Sequence, residues 1–321
     1  MTEGNQRVFC IGETVFDIIF KDEIPVAAKP GGSMLNTAVS LGRAGAEVYF
    51  ISDFAHDHAG KIIGGFLERN GVSTRFTHRY DEGKTALALA FLNDRQDAVY
   101  SFYKEYPPVR MDIDLPESGE GDIVLFGSFF ALTEAVRSKL TGFIRESRKK
   151  GAFVIYDPNF RRPHLSELDK LMPWILENIG MADLVRGSDE DFELIFSTVD
   201  AAASFEQVNR AGCPTLIYTR NEAGAEFITS CKHLVASVPQ IDPVSTIGAG
   251  DAFNAGIIYA MLRHSTALPG IPDQAGTGKS NEKTLSLPWE AILAMGIQFS
   301  EDVCMSLENY ISLDFSKSLD R

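Results

Sequence analysis

Positive charge is in short supply in this 321-residue chain, where 30 Lys and Arg stand against 44 Asp and Glu for a formal net charge of −14. Such a surface repels phosphate backbones and acidic headgroups, so neither nucleic acid nor a membrane surface is expected as a partner. Cysteine is scarce too. Cys10, Cys213, Cys231 and Cys304 are widely separated with no CxxC pair, which argues against a disulfide framework or a thiolate zinc site. A reducing, cytoplasmic setting is the expectation that follows. No apolar run is long enough to span a bilayer, and the opening "MTEGNQRVFCIGE" is polar and then strand-like, without a signal-type apolar stretch.

What is present is an ordinary globular composition, 45% hydrophobic and 23% charged, enough for a sizeable core in one large domain or a main domain with a small appendage. Short apolar strands alternate with amphipathic segments. "RVFCIG" (7–12), "AEVYFIS", "GDIVLFG" (121–127), "GAFVIYDPN" (151–159), "ADLVRGS" (182–188) and "CPTLIYTR" (213–220) read as strands. "SMLNTAVSLGRAG" (33–45) reads as a helix with Ser33 as its cap, and "DHAGKIIGGFLERNG" as a helix with Ile62, Ile63, Phe66 and Leu67 on one face. This order predicts an α/β fold: a three-layer sandwich with a mainly parallel central sheet and helices on both faces. "TVFDIIF" (14–20) and the hairpin-like "KTALALAFLNDRQDAVYSFYKE" (84–105) break the alternation and predict a small sheet standing off the main one. The Gly- and Pro-rich 264–284 reads as a surface loop.

Several motifs fail on inspection. "GTGKS" (276–280) imitates the end of a phosphate-binding P-loop, but Asp273 stands where that loop needs its first Gly. A dinucleotide fingerprint is missing after the first strand, where Gly12 stands alone. "SDFAHDH" (52–58) gathers Asp and His without helical His spacing and reads as a polar loop and cap rather than a metal site.

Two stretches do carry chemistry. "STIGAGDAFNAG" (245–256) sets Gly248, Ala249 and Gly250 ahead of Asp251 at a helix start, where free amides and the positive end of the helix dipole suit an anion. "KPGGSMLN" (29–36) places Gly31 and Gly32 before a second helix carrying Asn36, with Asp17 just beyond the first strand. Asp17 and Asn36 are suited to paired hydroxyl groups, and also to local capping of the backbone.

These two regions, with "SFYKE", "YDPNFRRP" and "TRNEAGAEF" in the right order, resemble the signature regions of the ribokinase-like (PfkB-type) carbohydrate kinases, and among them the fructokinases. The resemblance implies a single ribokinase-like domain over 1–321, with lid strands from about 14–32 and 84–106. It implies ATP-dependent phosphorylation of a terminal hydroxyl of a small sugar, fructose foremost. A 2-keto-3-deoxygluconate or nucleoside kinase, or a non-catalytic sugar or nucleotide sensor on the same fold, are the alternatives. By the same likeness Asp251 is the base, and Gly248, Ala249 and Gly250 form the anion hole. Asp17, Gly31, Gly32, Asn36, Lys104 and Arg161 bind the sugar, and Thr219 and Gly224 the nucleotide. Asp191 attends Mg²⁺. Substrates and partners are then a sugar and ATP, with a homodimer through the lid.

Departures from the pattern also stand in the sequence. Met34 and Ala55 replace small residues, Lys104 a usual Arg, and Asn221 a usual Gly; Ser188-Asp-Glu-Asp191 replaces Asn-x-x-Glu. Ser245 stands where Asp is frequent, which argues against activation by a monovalent cation.

Overall fold

The computed structural model describes residues 6–92, 98–264 and 286–319. The strands, in chain order, are β1 (Arg7–Ile11), β2 (Val15–Lys21), β3 (Ile24–Gly31), β4 (Glu47–Ala55), β5 (Val72–Ser73), β6 (Thr77–Tyr80), β7 (Lys84–Leu92) and β8 (Ala98–Glu105). They continue as β9 (Ile123–Gly127), β10 (Phe153–Asp157), β11 (Leu184–Ser188), β12 (Thr215–Thr219), β13 (Ala225–Thr229) and β14 (His233–Ala236). The helices are α1 (Ser33–Arg43), α2 (His58–Arg69), α3 (Glu134–Lys149), α4 (Leu168–Met181), α5 (Asp189–Phe196), α6 (Ala201–Arg210), α7 (Ala249–His264), α8 (Trp289–Cys304) and α9 (Leu313–Ser318).

The main sheet runs β14-β13-β12-β11-β10-β9-β1-β4-β5, with β6 also on β4. It is parallel from β12 through β5, and antiparallel where β13 and β14 are added at one edge. Its central strands, such as "IVLFG" and "TLIYT", are buried at every position, as a sheet covered on both faces requires. One face packs against α1, α2, α7 and α8 through Leu35, Leu67, Ile257 and Phe299; the other packs against α3, α4, α5 and α6 through Leu140, Ile175, Phe192 and Val208.

The small sheet is separate, ordered β3-β2-β7-β8. It follows directly from β1 in the chain and returns into α1, so it stands at the carboxyl ends of the parallel strands, where open α/β sheets bind ligands. Among the described residues no helix is long and apolar enough to cross a membrane.

Local details correct the sequence reading. Ser33 does not cap α1: Gly32 occupies the cap position, at φ 133°, and no side chain bonds there. Ile62 is 47% exposed while Ile63 is fully buried, because adjacent helical positions are about 100° apart and the apolar stripe ends between them. β4 continues through Ala55, three residues beyond the expected end, because β6 pairs in parallel with Ser52–Ala55. The polar turn "NDRQD", the "GTGKS" segment and nearly all of the loop read at 264–284 lie outside the described residues.

Candidate active site

The N-termini of α1 and α7 meet at Asp251. Ser33 Oγ donates to Asp251 Oδ1 at 2.6 Å and Asn36 Nδ2 donates to Oδ2 at 2.8 Å. Thr37 Oγ1 donates to the Asp251 carbonyl at 3.0 Å, fixing the backbone of the same residue. Because a carboxylate only accepts, the Asn36 nitrogen must face it, and Asn36 Oδ1 is left buried with no partner among the described residues. Burial raises the Asp251 pKa, while Ser33, Asn36 and the charges of Arg161 and Arg186 hold it down.

The turn ahead of Asp251 is built by close backbone contact. Gly248 has φ 87°, and a Cβ there would lie 2.6 Å from the Asn309 carbonyl oxygen. The Ala249 amide is engaged, donating to the Thr246 carbonyl at 3.2 Å. The amides of Gly248, Gly250 and Asp251 have no acceptor among the described residues, so they converge as free donors at the helix start.

A positive charge underlies this turn. A Cβ on Gly250 would lie 2.9 Å from Arg186 Nη1, so glycine is what lets the main chain sit on the guanidinium. Buried Arg186 donates to Thr219 Oγ1 at 2.9 Å and to Asp157 Oδ2 at 3.3 Å, while its Nε has no partner among the described residues. Asp157 also accepts from Asn254 Nδ2, one turn along α7 from Asp251. Burial pushes the Asp157 carboxyl up to about 6 against the pull of Arg186.

On the other side lies a cavity bounded by Asp17, Lys29 and Tyr100 of the small sheet and by Ile247 and Asn309. The Asp17 carboxylate makes no hydrogen bond among the described residues, and burial lifts its pKa to about 6 although Lys29 opposes this. Gly31 makes room for it: a Cβ there would lie 2.0 Å from Asp17 Oδ2. Arg161 is exposed, and its guanidinium makes no hydrogen bond or ion pair among the described residues.

For a divalent metal the protein offers little direct ligation. Among the described residues no three His, Cys, Asp or Glu side chains form a cluster that could hold an ion. Asp191 accepts from the Phe160 amide at 2.6 Å and from the Ser188 amide and hydroxyl at 2.7 and 2.6 Å, completing a capping box on α5.

A sequence profile of pfkB family carbohydrate kinases matches residues 5–285. The chain belongs to that family. It is 24% identical to a fructokinase of Vibrio alginolyticus over 262 residues, covering 81% of this chain and 85% of the relative. By fold it is similar to an aminoimidazole riboside kinase from Salmonella enterica, crystallised with aminoimidazole riboside and an ATP analog, at a TM-score of 0.80 and 22% identity over 98% and 99% of the two chains. It is equally similar to a fructokinase from Vibrio cholerae in a form with fructose, ADP and calcium ion, at a TM-score of 0.80, 20% identity and 98% coverage of each chain.

Within this pfkB chain the structure brings together Asp251, Gly248, Ala249, Gly250, Gly31, Gly32, Asn36 and Asp17 around the ends of α1 and α7. Thr219 joins them from below through Arg186. Gly224, with φ 95° and the Ala236 carbonyl 2.1 Å from where a Cβ would sit, ends the tight turn after β12, in which Asn221 takes φ 39°. Lys104 is engaged elsewhere, donating to Glu13 Oε2 at 2.7 Å beside the Tyr106 hydroxyl, which donates to the same carboxylate. The sequence reading missed Ser33, Lys29, Arg186 and Asn254. Ser33 carried a visible signal, a hydroxyl three residues before Asn36 on the face that meets Asp251. Arg186 carried a fainter one, a charged residue within the otherwise apolar "LVRGS" strand.

Proposed function

We propose that this chain transfers the γ-phosphoryl group of ATP to a terminal hydroxyl of a small sugar, with fructose the leading acceptor. The observation that carries the reading is the placement of the Asp251 carboxylate, held by two donors, beside free main-chain amides of Gly248 and Gly250.

The acceptor hydroxyl oxygen attacks the γ-phosphorus, the bond from phosphorus to the bridging oxygen breaks, and ADP leaves with that electron pair. The hydroxyl proton passes to a carboxylate oxygen of Asp251. Charge spreading over the transferring group is met by preorganised amides and the helix dipole, which need no rearrangement during the reaction. Asp251 receives its proton late, so it needs no exceptional basicity. Arg186 beneath the turn adds a fixed positive charge and restrains Asn254, thereby steadying α7. Asp17 and Asn36 Oδ1, both lacking partners among the described residues, are acceptors for sugar hydroxyls, and Arg161 is free to contact phosphate or sugar. Thr219 and Gly224 line the approach of the nucleotide.

Mg²⁺ bound to the nucleotide would neutralise phosphate charge. It typically keeps several waters, so Asp191 and Ser188 would reach it through water, since Asp191 already accepts three hydrogen bonds. The small sheet acts as a lid that excludes water, and the exposed Ile24, Val26, Phe102 and Tyr103 supply a surface for a second copy of the chain.

A second reading, a riboside acceptor, is favoured by Tyr100: its ring, 44% exposed, borders the same cavity as Asp17 and offers a face on which a base could stack. The experiment is ADP release with ATP–Mg²⁺ across a panel of sugars, sugar acids and nucleosides. A fructose response about tenfold above every competitor, about 1.4 kcal/mol, supports the leading acceptor. A larger response to a riboside replaces it, and no acceptor-dependent ADP release overturns the kinase reading.

A further inference from the structure

Phosphoryl transfer as described leaves one charged group of the site unused: Lys29. In the β2–β3 ladder its register partner is Asp17, and the two border the same cavity. Its side chain is half-buried. It crosses to the helical layer, where Nζ donates to the Leu307 carbonyl and to Asn309 Oδ1, each at 3.0 Å. Burial lowers its pKa, opposed by Glu308 of that loop and by Asp17, so the charge is held at some cost in solvation.

The segment that accepts these bonds lies between α8 and α9 and forms the backing of the glycine turn. The position a Gly248 Cβ would take lies 2.6 Å from the Asn309 carbonyl oxygen and 2.7 Å from its Cα. At that spacing the backbone of Asn309 cannot move toward Gly248 without pushing the turn, and cannot move away without opening a void beneath it. Asn309 is itself buried, so it transmits displacement rather than absorbing it. The contacts therefore form an unbroken series from β3 of the small sheet, through Lys29 and Asn309, to Gly248 and the free amides beside Asp251. Across it, the sheet that borders the acceptor cavity and the turn that faces the phosphoryl group are mechanically joined.

We infer that Lys29 is a positioning residue that couples the seating of the small sheet to the shape of the anion-binding turn. With Lys29 bonded, Asn309 is pinned against Gly248 and the amides converge; without that bond the turn relaxes. The catalytic consequence rests on the kinase reading, but the coupling does not, and the test separates them.

Hydrogen exchange of the intact protein, followed on a peptide covering 245–251 whose protection comes from the bonded Ile247 and Ala249 amides, reads the coupling without any substrate. Lys29→Met should speed exchange there about tenfold while β9 and β10 keep their protection, because only a local opening is eased. Lys29→Arg should restore most of it. Asn309→Ala, which removes one of the two acceptors but keeps the backbone contact, should give about a threefold change and serves if Lys29→Met does not fold. In ADP release, Lys29→Met should lower kcat about tenfold with the KM for ATP changed less than about threefold, since the loss falls on transition-state contacts. Unchanged exchange over 245–251 in the variants that fold overturns the inference, whatever the activity. If the wild-type protein phosphorylates nothing, the kinase reading fails and exchange alone decides the coupling.

Discussion

Ser33 Oγ lies 2.6 Å from Asp251 Oδ1, joining the first residue of one helix to the first turn of another across 218 positions of sequence. α1 has no side-chain cap, a role worth about 1 kcal/mol, because Gly32 holds the cap position, and the Ser33 hydroxyl serves a carboxylate instead. The bond fixes which way the acid points and how readily it gives up its proton.

Asp251→Asn should lower kcat about a thousandfold, within the range typical of removing a general base, because the amide cannot take the hydroxyl proton. Nucleotide affinity should change little. Parallel ADP-release kinetics and calorimetric titration with ATP check this, and wild-type turnover in the variant would reject Asp251 as the base.

Ser33→Ala should move the acid limb of the kcat/KM profile to higher pH. Burial raises the Asp251 pKa and the Ser33 donor lowers it, so loss of the donor raises it further. The reactive form is the carboxylate, so activity falls most at low pH and recovers toward the wild-type value at high pH. A limb displaced to lower pH would contradict the assignment.

Asp17→Asn should abolish a pH dependence of sugar binding. The Asp17 carboxyl is lifted to about 6, so below that pH it loses its charge and one of its acceptor sites. The wild-type KM for sugar should accordingly rise as pH falls through about 6, while the variant should show a high, flat KM. Sugar titrations at fixed ATP from acid to neutral pH provide the measurement.

Gly248→Ala should cost about 2 kcal/mol of stability or more, combining a left-handed backbone strain with an overlap against Asn309. Thermal unfolding measures the first effect. Turnover should fall by more than the unfolded fraction explains, because the amides of the turn move.

The fold was largely legible because its evidence is local. Fully apolar runs such as "IVLFG" and "TLIYT" announce covered strands, and the GAGD corner carries its own helix start and its own glycines. The fold class, the family and the separate small sheet all follow from such features. The details of the site were less legible, since they depend on pairings over long separations. A serine opening a helix is most often a cap, so the Ser33 signal in "SMLN" reads as capping until Asp251 is seen opposite it. Lys104 reads as a sugar contact, and its pairing with Glu13, 91 residues away, is seen only in the structure. That the Asp191 oxygens accept from Phe160 and Ser188, which leaves any Mg²⁺ contact to pass through water, is likewise invisible in the sequence. Arg186 and Lys29 matter through what lies opposite them, and periodicity is silent about opposites.

α7 carries Gly256 against α8, where a Cβ would lie 2.6 Å from the Met295 carbonyl oxygen and 2.7 Å from the Gly296 Cα. At Gly256, α7 is thus seated main chain to main chain. Exchanges of one aliphatic residue for another elsewhere along these helices alter the filling but not the height of the seat. A lineage can therefore rewrite most of its interior and still deliver the acid to the same point, while a single added methyl at Gly256 would tilt the helix and move it.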